Sequence, residues 1–240
     1  MTLEEIINYR RSVRHYKNEP IDADKVKHCL ELATLAPNSS NMQLWEFYNI
    51  VNPETLKKIA EACLNQQSAT TAQQMVVFVA RQDLHRKREK EMLNLESKNV
   101  LKNSPKPKQE KRLKSWKMYY GRIMPFLYTK FLGVFGIVRK IIVNVIGLFR
   151  PIVYQVSEND MRVVVHKTCA LAAQTFMLAM ANEKYDTCPM EGFDSTKVKS
   201  ILKLPYGAEI NMVVSCGIRE EQGVWGERMR VPFDEVYRKI

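Results

Sequence analysis

The stretch MVVFVA (residues 75–80) is the clearest structural signal in the chain. It is short, wholly apolar and rich in valine, which is typical of a central β-strand covered on both faces. A second stretch of this kind, INMVVSCGI, occupies residues 210–218, and FYNIV (47–51) is similar in character. We therefore expect a buried sheet.

A long helix is predicted over about Asn159 to Glu183. Its run TCALAAQTFMLAMA (168–181) is apolar nearly all round, so the helix must be buried on most of its sides. Helices and apolar strands alternate along the rest of the chain. The predicted fold class is α+β, with a central mixed or antiparallel sheet flanked by helices.

Capping residues predict where several other helices begin. Thr2, with Glu5 three residues later, forms a capping box. Asp22 and Asn52 are N-cap residues of the next two helices, and a proline follows Asn52 at the first helical position. Ser195 is the predicted cap of a helix late in the chain.

The net charge of +11 is confined to one block of the sequence. Residues 85–157 contain 17 Lys/Arg and 4 Asp/Glu, whereas the rest of the chain contains 20 and 22. The basic character thus belongs to this block and not to the whole protein. We predict one domain formed by residues 1–84 and 158–240, interrupted by a large basic insertion at 85–157.

The predicted insertion has two halves. Residues 85–117 are rich in lysine and predict a solvated helix, followed by a flexible connection at NSPKPKQEK (103–111). Residues 118–156 contain no acidic residue and two apolar runs, FLGVFGIV (131–138) and IIVNVIGLF (141–149). Each run is shorter than the roughly 20 residues that span a bilayer.

Three roles for the insertion stay open: a lid that selects substrates, a dimer contact, and contact with a membrane surface through 122–150. Basic residues beside Phe, Leu and Ile suit anionic lipid. However, Lys130 and Arg139 fall on opposite sides of an ideal helix, which spoils a single polar face unless the glycines break the helix. No nucleic-acid partner is expected, because the basic residues form no known reader motif.

The cysteines and histidines predict neither disulfides nor a metal site. Five scattered cysteines form no C-x-x-C pair, and we interpret them as buried thiols in a reducing compartment. The four histidines show no metal-ligand spacing. The chain opens with MTLEEIINY, which lacks the order of a secretory signal. We expect a cytoplasmic protein, with peripheral membrane contact left open.

Two polar stretches suggest binding. RRSVRHY (10–16) combines guanidinium groups, which bind phosphate oxygens in a bidentate manner, with a serine hydroxyl. A surface cluster that forms salt bridges is the alternative. APNSSNMQLW (36–45) offers amides, hydroxyls and backbone N–H groups to a ligand, although it also fits an ordinary turn between a helix and a strand.

Together these stretches resemble the opening of the FMN-dependent nitroreductase family. PMEGF (189–193) is similar to that family's turn near the flavin ring, and Arg228-x-Arg230-x-Pro232 is similar to its second phosphate-binding pair. The resemblance covers about 1–84 and 158–240. The sequence departs from the family's usual pattern at Asn38, Leu44 and Ser68.

The resemblance implies a set of FMN-binding residues. The phosphate would be held by Arg10, Ser12, Arg228 and Arg230, with Arg11 close by. Arg14 would reach the ribityl chain and the pyrimidine edge. The loop after Ala36 would come from the partner subunit. The implied residues are Arg10, Arg11, Ser12, Arg14, Pro37, Asn38, Ser39, Asn41, Asn65, Pro189, Met190, Glu191, Gly192, Arg228 and Arg230.

By the same resemblance, the protein is a homodimeric oxidoreductase with FMN at the subunit interface. NADPH or NADH would reduce the flavin, and a nitro compound, quinone or similar small-molecule acceptor would reoxidise it by ping-pong transfer through flavin N5. No side chain needs to act as a catalyst, although Glu191 and Gly192 would lie nearby. Dehydrogenation, reductive dehalogenation and a membrane-binding role on the same scaffold are the alternatives.

Overall fold

The computed structural model describes residues 1–240 and contains a single four-stranded sheet. The strands are β1 (Trp45–Ile50), β2 (Gln74–Ala80), β3 (Asp186–Met190) and β4 (Glu209–Gly217). Their order is β1-β2-β4-β3, and every neighbouring pair is antiparallel. The predicted α+β class is confirmed, and the sheet is antiparallel throughout.

Helices surround this sheet and account for most of the remaining chain. Short 3-10 turns occupy Ser39–Asn41 and Gln82–Leu84, and a π-helical turn occupies Tyr119–Ile123. The α-helices are α1 (Leu3–Tyr9), α2 (Ala23–Ala33), α3 (Pro53–Ala62), α4 (Gln67–Thr70), α5 (His85–Asn103), α6 (Lys106–Met118), α7 (Met124–Tyr128), α8 (Val134–Gly147), α9 (Glu158–Asn182), α10 (Ser195–Ile201) and α11 (Phe233–Val236).

The predicted central strand, β2, separates two apolar cores. Because side chains alternate along a strand, Val76 and Phe78 face the core that contains α2 and α9. Met75 and Val77 face the opposite core, which α3 and α10 cover. All seven residues of β2 are buried: the apolar run 75–80, as its sequence predicts, and the polar Gln74 before it.

Helix α9 lies across the first of these cores. Its capping box is formed by Ser157 and Asp160, and its Phe176 ring lies 5.5 Å from the Phe78 ring, centroid to centroid. By length and composition α9 could cross a membrane, but ten of its residues are buried within this fold. Its apolar character is therefore explained by packing in the protein core.

Three of the predicted helix caps are confirmed and one is wrong. Thr2, Asp22 and Asn52 accept hydrogen bonds at the starts of α1, α2 and α3. The cap of α10 is Asp194 and not Ser195, because the Asp194 carboxylate accepts the hydrogen bond from the backbone N–H of Lys197. Both residue types are good caps, so the sequence alone does not separate adjacent candidates.

The basic segment 85–157 is helical and packs into the main core. The predicted flexible connection at 103–111 is wrong: Ser104 and Pro105 form a short turn between α5 and α6, and Gln109 donates hydrogen bonds to the Leu101 and Ser104 carbonyls. Met92, Tyr120, Met124 and Tyr128 of the same segment belong to the core around α9. The status of 85–157 as an insertion stays a prediction.

The five cysteines are free and buried, as predicted. Burial alone raises the pKa of the Cys169 thiol to about 12, so this thiol is protonated and unreactive at neutral pH. No group of three or more His, Cys, Asp or Glu side chains is placed to hold a metal ion.

A polar network joins α9 to the start of β4. Asn211 donates to His166 Nδ1, which leaves the proton on Nε2, and His166 Nε2 donates to Glu209 over 3.2 Å. Arg162 also binds Glu209. The hydrogen bond from His166, together with that from Arg162, lowers the pKa of Glu209 to about 2.

This network predicts an acid-dependent stability. The folded-state pKa of Glu209 lies below its ordinary value of 4.5, so its stabilisation is complete above about pH 5 and is lost as the pH falls towards 2. Glu209→Gln should lower the free energy of unfolding by about 2 kcal/mol at neutral pH, and much less near pH 3. Urea unfolding at both pH values measures this, with the exposed Glu221→Gln as the control. An equal loss at both pH values would contradict the assignment.

Candidate functional site

Five arginines converge on one cleft of about 290 Å³ beside the end of α1. Two parts of the chain form its walls: the segment after α1 and the tail after β4. The cleft is lined by Arg10, Arg11, Ser12, Arg14, Val224, Trp225, Glu227, Arg228, Met229 and Arg230. The structure thus unites both predicted phosphate-binding groups, which are more than 200 residues apart in sequence.

Backbone hydrogen bonds hold the first wall against β3, an edge strand of the sheet. Ser12 pairs with Thr187 in a parallel bridge, and the Val13 N–H donates to the Thr187 carbonyl over 3.1 Å. The Arg14 N–H donates to the Gly223 carbonyl over 2.7 Å. The segment therefore extends the sheet, and its position does not depend on the arginine side chains.

Arg228 attaches the second wall to the first. Its guanidinium donates to the carbonyls of Ile7, Asn8 and Arg10, which lie at the C-terminal end of α1 and have no partners further along the helix. Arg11 donates in return to the Gly226 carbonyl of the tail. Arg228 thus positions the tail through α1, which the sequence did not indicate.

The positive charge of the cleft is not neutralised within the protein. None of the five arginines forms an ion pair, and Glu227 is the sole acidic residue of the lining. Partial burial, and then the nearby charges of Arg228 and Arg230, lower the pKa of the Arg10 guanidinium. Because like charges confined together favour an anion between them, the cleft is suited to phosphate. The alternative of a surface cluster that forms salt bridges does not apply.

An aromatic side chain that the sequence analysis did not single out lies at this cleft. The Arg14 guanidinium is 5.7 Å from the centre of the Trp225 ring, and Trp225 is 70% exposed. A cation–π contact of this kind holds Arg14 at the mouth of the cleft without neutralising its charge.

The predicted turn 189–192 overlaps the end of β3 and contacts residues next to Asn65. Pro189 and Met190 are the last two residues of the strand, and only Glu191 and Gly192 follow it. The Gln66 amide donates to the Gly192 carbonyl over 2.7 Å, and the Ser68 hydroxyl contacts the Met190 sulfur at 3.2 Å. The Met190 side chain is buried, whereas Glu191 and Gly192 are exposed. The turn can therefore offer its backbone to a ligand, but the Met190 side chain faces the core.

Asn65 itself lines a different cavity. That cavity has a volume of about 790 Å³ and also includes His15, Tyr16 and Glu220. Asn65 adopts a positive φ of 51°, a conformation that asparagine tolerates better than most residues. Asn65 does not line the cleft of the arginines, and its contact with a flavin stays a prediction. Gln66, which makes the actual contact with the turn, was missed.

The loop 37–41 does not reach the arginine cleft within one chain. It leads into β1, and β1 and β3 are the opposite edges of the sheet. Pro37, Ser39 and Asn41 are exposed, while the Asn38 side chain accepts a hydrogen bond from the Gln43 N–H over 3.0 Å.

Two tyrosines of the basic segment support this loop. The Ser40 hydroxyl is 2.7 Å from the Tyr119 hydroxyl, and the Tyr120 hydroxyl donates to the Ser40 carbonyl over 2.9 Å. Ser40, Asn41 and Gln43 have positive φ angles, which non-glycine residues adopt only where surrounding contacts hold them. Residues 119–120 therefore fix the shape of the loop.

Comparison with known proteins identifies the relatives of this chain. The family model described as "Nitroreductase family" matches residues 7–218. The protein DrgA of Synechocystis is 26% identical over 94% of this chain and 88% of its own length. MhqN of Bacillus subtilis, whose provisional name is NAD(P)H nitroreductase, is 20% identical over 96% of this chain and 95% of its own.

Solved structures share the fold along the full chain. The Bacillus subtilis protein YdfN superposes with a TM-score of 0.73 at 20% identity, covering 99% of this chain and 98% of its own. A protein of Exiguobacterium sibiricum, provisionally named a nitroreductase and crystallised in complex with FMN, gives a TM-score of 0.70 at 21% identity. The superposition covers 100% of this chain and 98% of that protein.

The charge of the cleft predicts that a simple anion stabilises the protein. Inorganic phosphate at about ten times its Kd should raise the melting temperature of dialysed protein by about 3 °C. Arg10→Ala should abolish most of this increase, because it removes a guanidinium from the cleft, whereas Arg150→Ala, an exposed arginine elsewhere, should not. Thermal unfolding at constant ionic strength, with chloride replacing phosphate, measures the effect. Equal stabilisation of all three proteins would contradict a site in the cleft.

Proposed function

Because the chain belongs to the nitroreductase family, we propose that it is an FMN-dependent oxidoreductase. In this proposal NADPH or NADH is the reductant, and nitro compounds, quinones or similar electron-poor molecules are the acceptors. The observation that supports it most directly is the cleft beside β3, where five arginines lie without ion-pair partners. A phosphate monoester would supply the missing negative charge.

The residues of the cleft fit the phosphate of FMN. Arg10 and Arg230 offer guanidinium N–H groups, and Ser12 adds a neutral hydroxyl donor. Arg228 already binds three backbone carbonyls, so its main contributions are its charge and the position of the tail. Burial, and then repulsion from the neighbouring arginines, lowers the pKa of Arg10, and the phosphate would relieve that repulsion.

The flavin ring would extend from the cleft towards the turn 189–192. FMN, when bound, supplies a ring that takes hydride at N5 from a nicotinamide and returns it to an acceptor. Arg14 would favour negative charge on the pyrimidine edge, and Trp225 would hold its guanidinium in place. The exposed backbone of Glu191 and Gly192 would donate or accept hydrogen bonds at the ring edge.

A second copy of the chain would complete the site. Loop 37–41 lies at the edge of the sheet opposite the cleft, so it can contact this flavin only from a partner subunit. The C-terminal tail supports a homodimer, since its large apolar side chains find no cover in their own chain. The exposed residues of the tail are Met229, Val231, Phe233, Val236, Tyr237 and Ile240.

The basic segment 85–157 contributes to this site indirectly. Tyr119 and Tyr120 hold the loop that would face the partner's flavin, so the segment influences the shape of the acceptor pocket. The alternatives of dehydrogenation and reductive dehalogenation concern the same flavin: reductive dehalogenation would change the electron acceptor, and in a dehydrogenation the substrate would be the electron donor. Five unpaired thiols support the proposed cytoplasmic location.

Loss of two cleft arginines should release the flavin. In Arg10→Ala/Arg230→Ala, removal of two charge-assisted hydrogen bonds to phosphate should weaken FMN affinity at least about 100-fold. Fluorescence titration of the dialysed protein with FMN measures the Kd. Arg112→Ala/Arg150→Ala removes the same charge outside the cleft and serves as the control. Unchanged affinity in the first variant would contradict the proposed phosphate site.

The redox role is tested by absorbance under anaerobic conditions. Addition of NADPH or NADH to the FMN-loaded protein should bleach the flavin spectrum, and a nitroaromatic or quinone should restore it. Restoration by a quinone with no reaction towards a nitroaromatic would narrow the acceptor class. A spectrum that neither nicotinamide changes would contradict the proposed reductive half-reaction.

A further inference from the structure

Helix α8 has its apolar surface on the outside of the protein. The residues that face the interior are Gly136, Arg139 and Val143, which recur at helical spacing and are buried. The outward face is apolar except for Asn144. Its exposed apolar residues, with those at the two ends of the helix, are Phe131, Leu132, Val134, Phe135, Ile137, Val138, Ile141, Ile142, Val145, Leu148 and Phe149. We call this set the α8 patch.

The two basic side chains of α8 are both bound by neighbouring groups: Arg139 is buried on the inner side, and Lys140, which is partly exposed, pairs with Asp160. Arg139 is 1% exposed and donates to the carbonyls of Phe126 (2.7 Å), Thr129 (2.9 Å) and Val156. Lys140 donates to the Tyr154 carbonyl over 3.0 Å. These charges therefore do not interrupt the outward apolar face. The opposed positions of Lys130 and Arg139 expected from the sequence do not arise, because Lys130 precedes the helix.

The helix is held firmly in this orientation. Gly133 ends the preceding turn with a φ of 81°, and the Glu158 carboxylate accepts hydrogen bonds from the N–H groups of Phe131 and Gly133, each over 3.0 Å. A side chain at Gly136 would collide with the backbone at Glu158, so glycine permits close packing of α8 on α9. The α8 patch is thus a fixed surface and not a frayed end.

An apolar surface of this size on a water-soluble domain indicates a binding surface. Basic residues border it in sequence: Lys130 directly precedes Phe131 and Arg150 directly follows Phe149, and residues 118–156 contain no acidic residue. Lys130 also lies 3.9 Å from the Glu209 carboxylate, whereas Arg150 is exposed and forms no ion pair. At 14 residues α8 is about 21 Å long, shorter than the roughly 30 Å hydrocarbon core of a bilayer. It can lie within the interfacial region but cannot span the membrane.

We propose that the α8 patch docks the protein on an anionic lipid bilayer. The apolar side chains would enter the boundary between headgroups and acyl chains, and the bordering Arg150 and Lys130 would contact the headgroups. Contact between two α8 patches explains the observations less well. A twofold interface sets each patch against itself, and the bordering basic residues would then meet equal charge with no acidic residue of 118–156 to compensate.

Vesicle co-sedimentation of the full chain tests this proposal. The native protein should bind vesicles that contain about 30% phosphatidylglycerol in phosphatidylcholine, bind pure phosphatidylcholine far less, and be released by salt. Ile137→Gln/Ile141→Gln changes two side chains that are 63% and 59% exposed, so the fold should persist. The affinity of this variant for the anionic vesicles should be at least about tenfold lower, because the inserted apolar area is smaller.

The matched control is Leu95→Gln/Leu101→Gln, which changes two exposed leucines of α5 outside the patch and should leave vesicle binding unchanged. Circular dichroism and FMN affinity should match the native protein in both variants, which separates this proposal from that of the flavin site. The proposal would be overturned if the native protein did not bind vesicles, or if it bound neutral and anionic vesicles equally. A fall in oligomer mass for Ile137→Gln/Ile141→Gln by light scattering would overturn it too, and would assign the patch to a second copy.

Discussion

The backbone hydrogen bond from Val13 to Thr187 is the contact on which the site depends. It fixes the segment 10–14 to the edge of the sheet, so the arginines are held together whether or not an anion is present. Arg228 then joins the tail to the end of α1. Folding brings these like charges together, although the burial of Arg10 and its repulsion by the neighbouring arginines are unfavourable. A site built this way is arranged for its ligand before the ligand arrives.

Sheet order imposes the second constraint. Because β1 and β3 are opposite edges, the loop before β1 and the cleft beside β3 lie at opposite edges of the sheet in one chain. The loop and the cleft would form one site if two chains associate so that the loop of each chain lies over the cleft of the other. Tyr119 and Tyr120, which support the loop, come from the basic segment, so this segment affects the proposed site although none of its residues lines the cleft of the arginines.

Much of this arrangement could be predicted from the sequence, where local chemistry determines the outcome. The unbroken apolar run of β2 requires burial on both faces, and Thr2, Asp22 and Asn52 cap helices by contacts within a few residues. The convergence of the two arginine groups follows from the family resemblance. Spacing alone could not predict it, because their separation in the chain carries no geometric information.

The features that were predicted wrongly or missed depend on contacts between residues that are not neighbours in the sequence. The chain at 103–111 has the composition of a flexible linker, but Gln109 bonds fix the turn between α5 and α6. The orientation of α8 is decided by carbonyls that accept from Arg139 and by Glu158 at the start of α9. Without those partners, its nearly uniform apolar sequence has no preferred inner face. Gln66 and Trp225 were missed because their partners, Gly192 and Arg14, lie far from them in the sequence.

A mixed dimer tests the central claim, that each flavin site combines the cleft of one chain with the loop of the other. One chain carries Arg10→Ala/Arg230→Ala and the other Ser39→Trp, whose side chain would occupy the space of the ring; separate affinity tags isolate the heterodimer. Each homodimer should lack FMN, whereas the heterodimer should regain one intact site of two and hold about half the native flavin. A heterodimer as empty as both homodimers would contradict the shared site, as would full FMN binding by the Ser39→Trp homodimer.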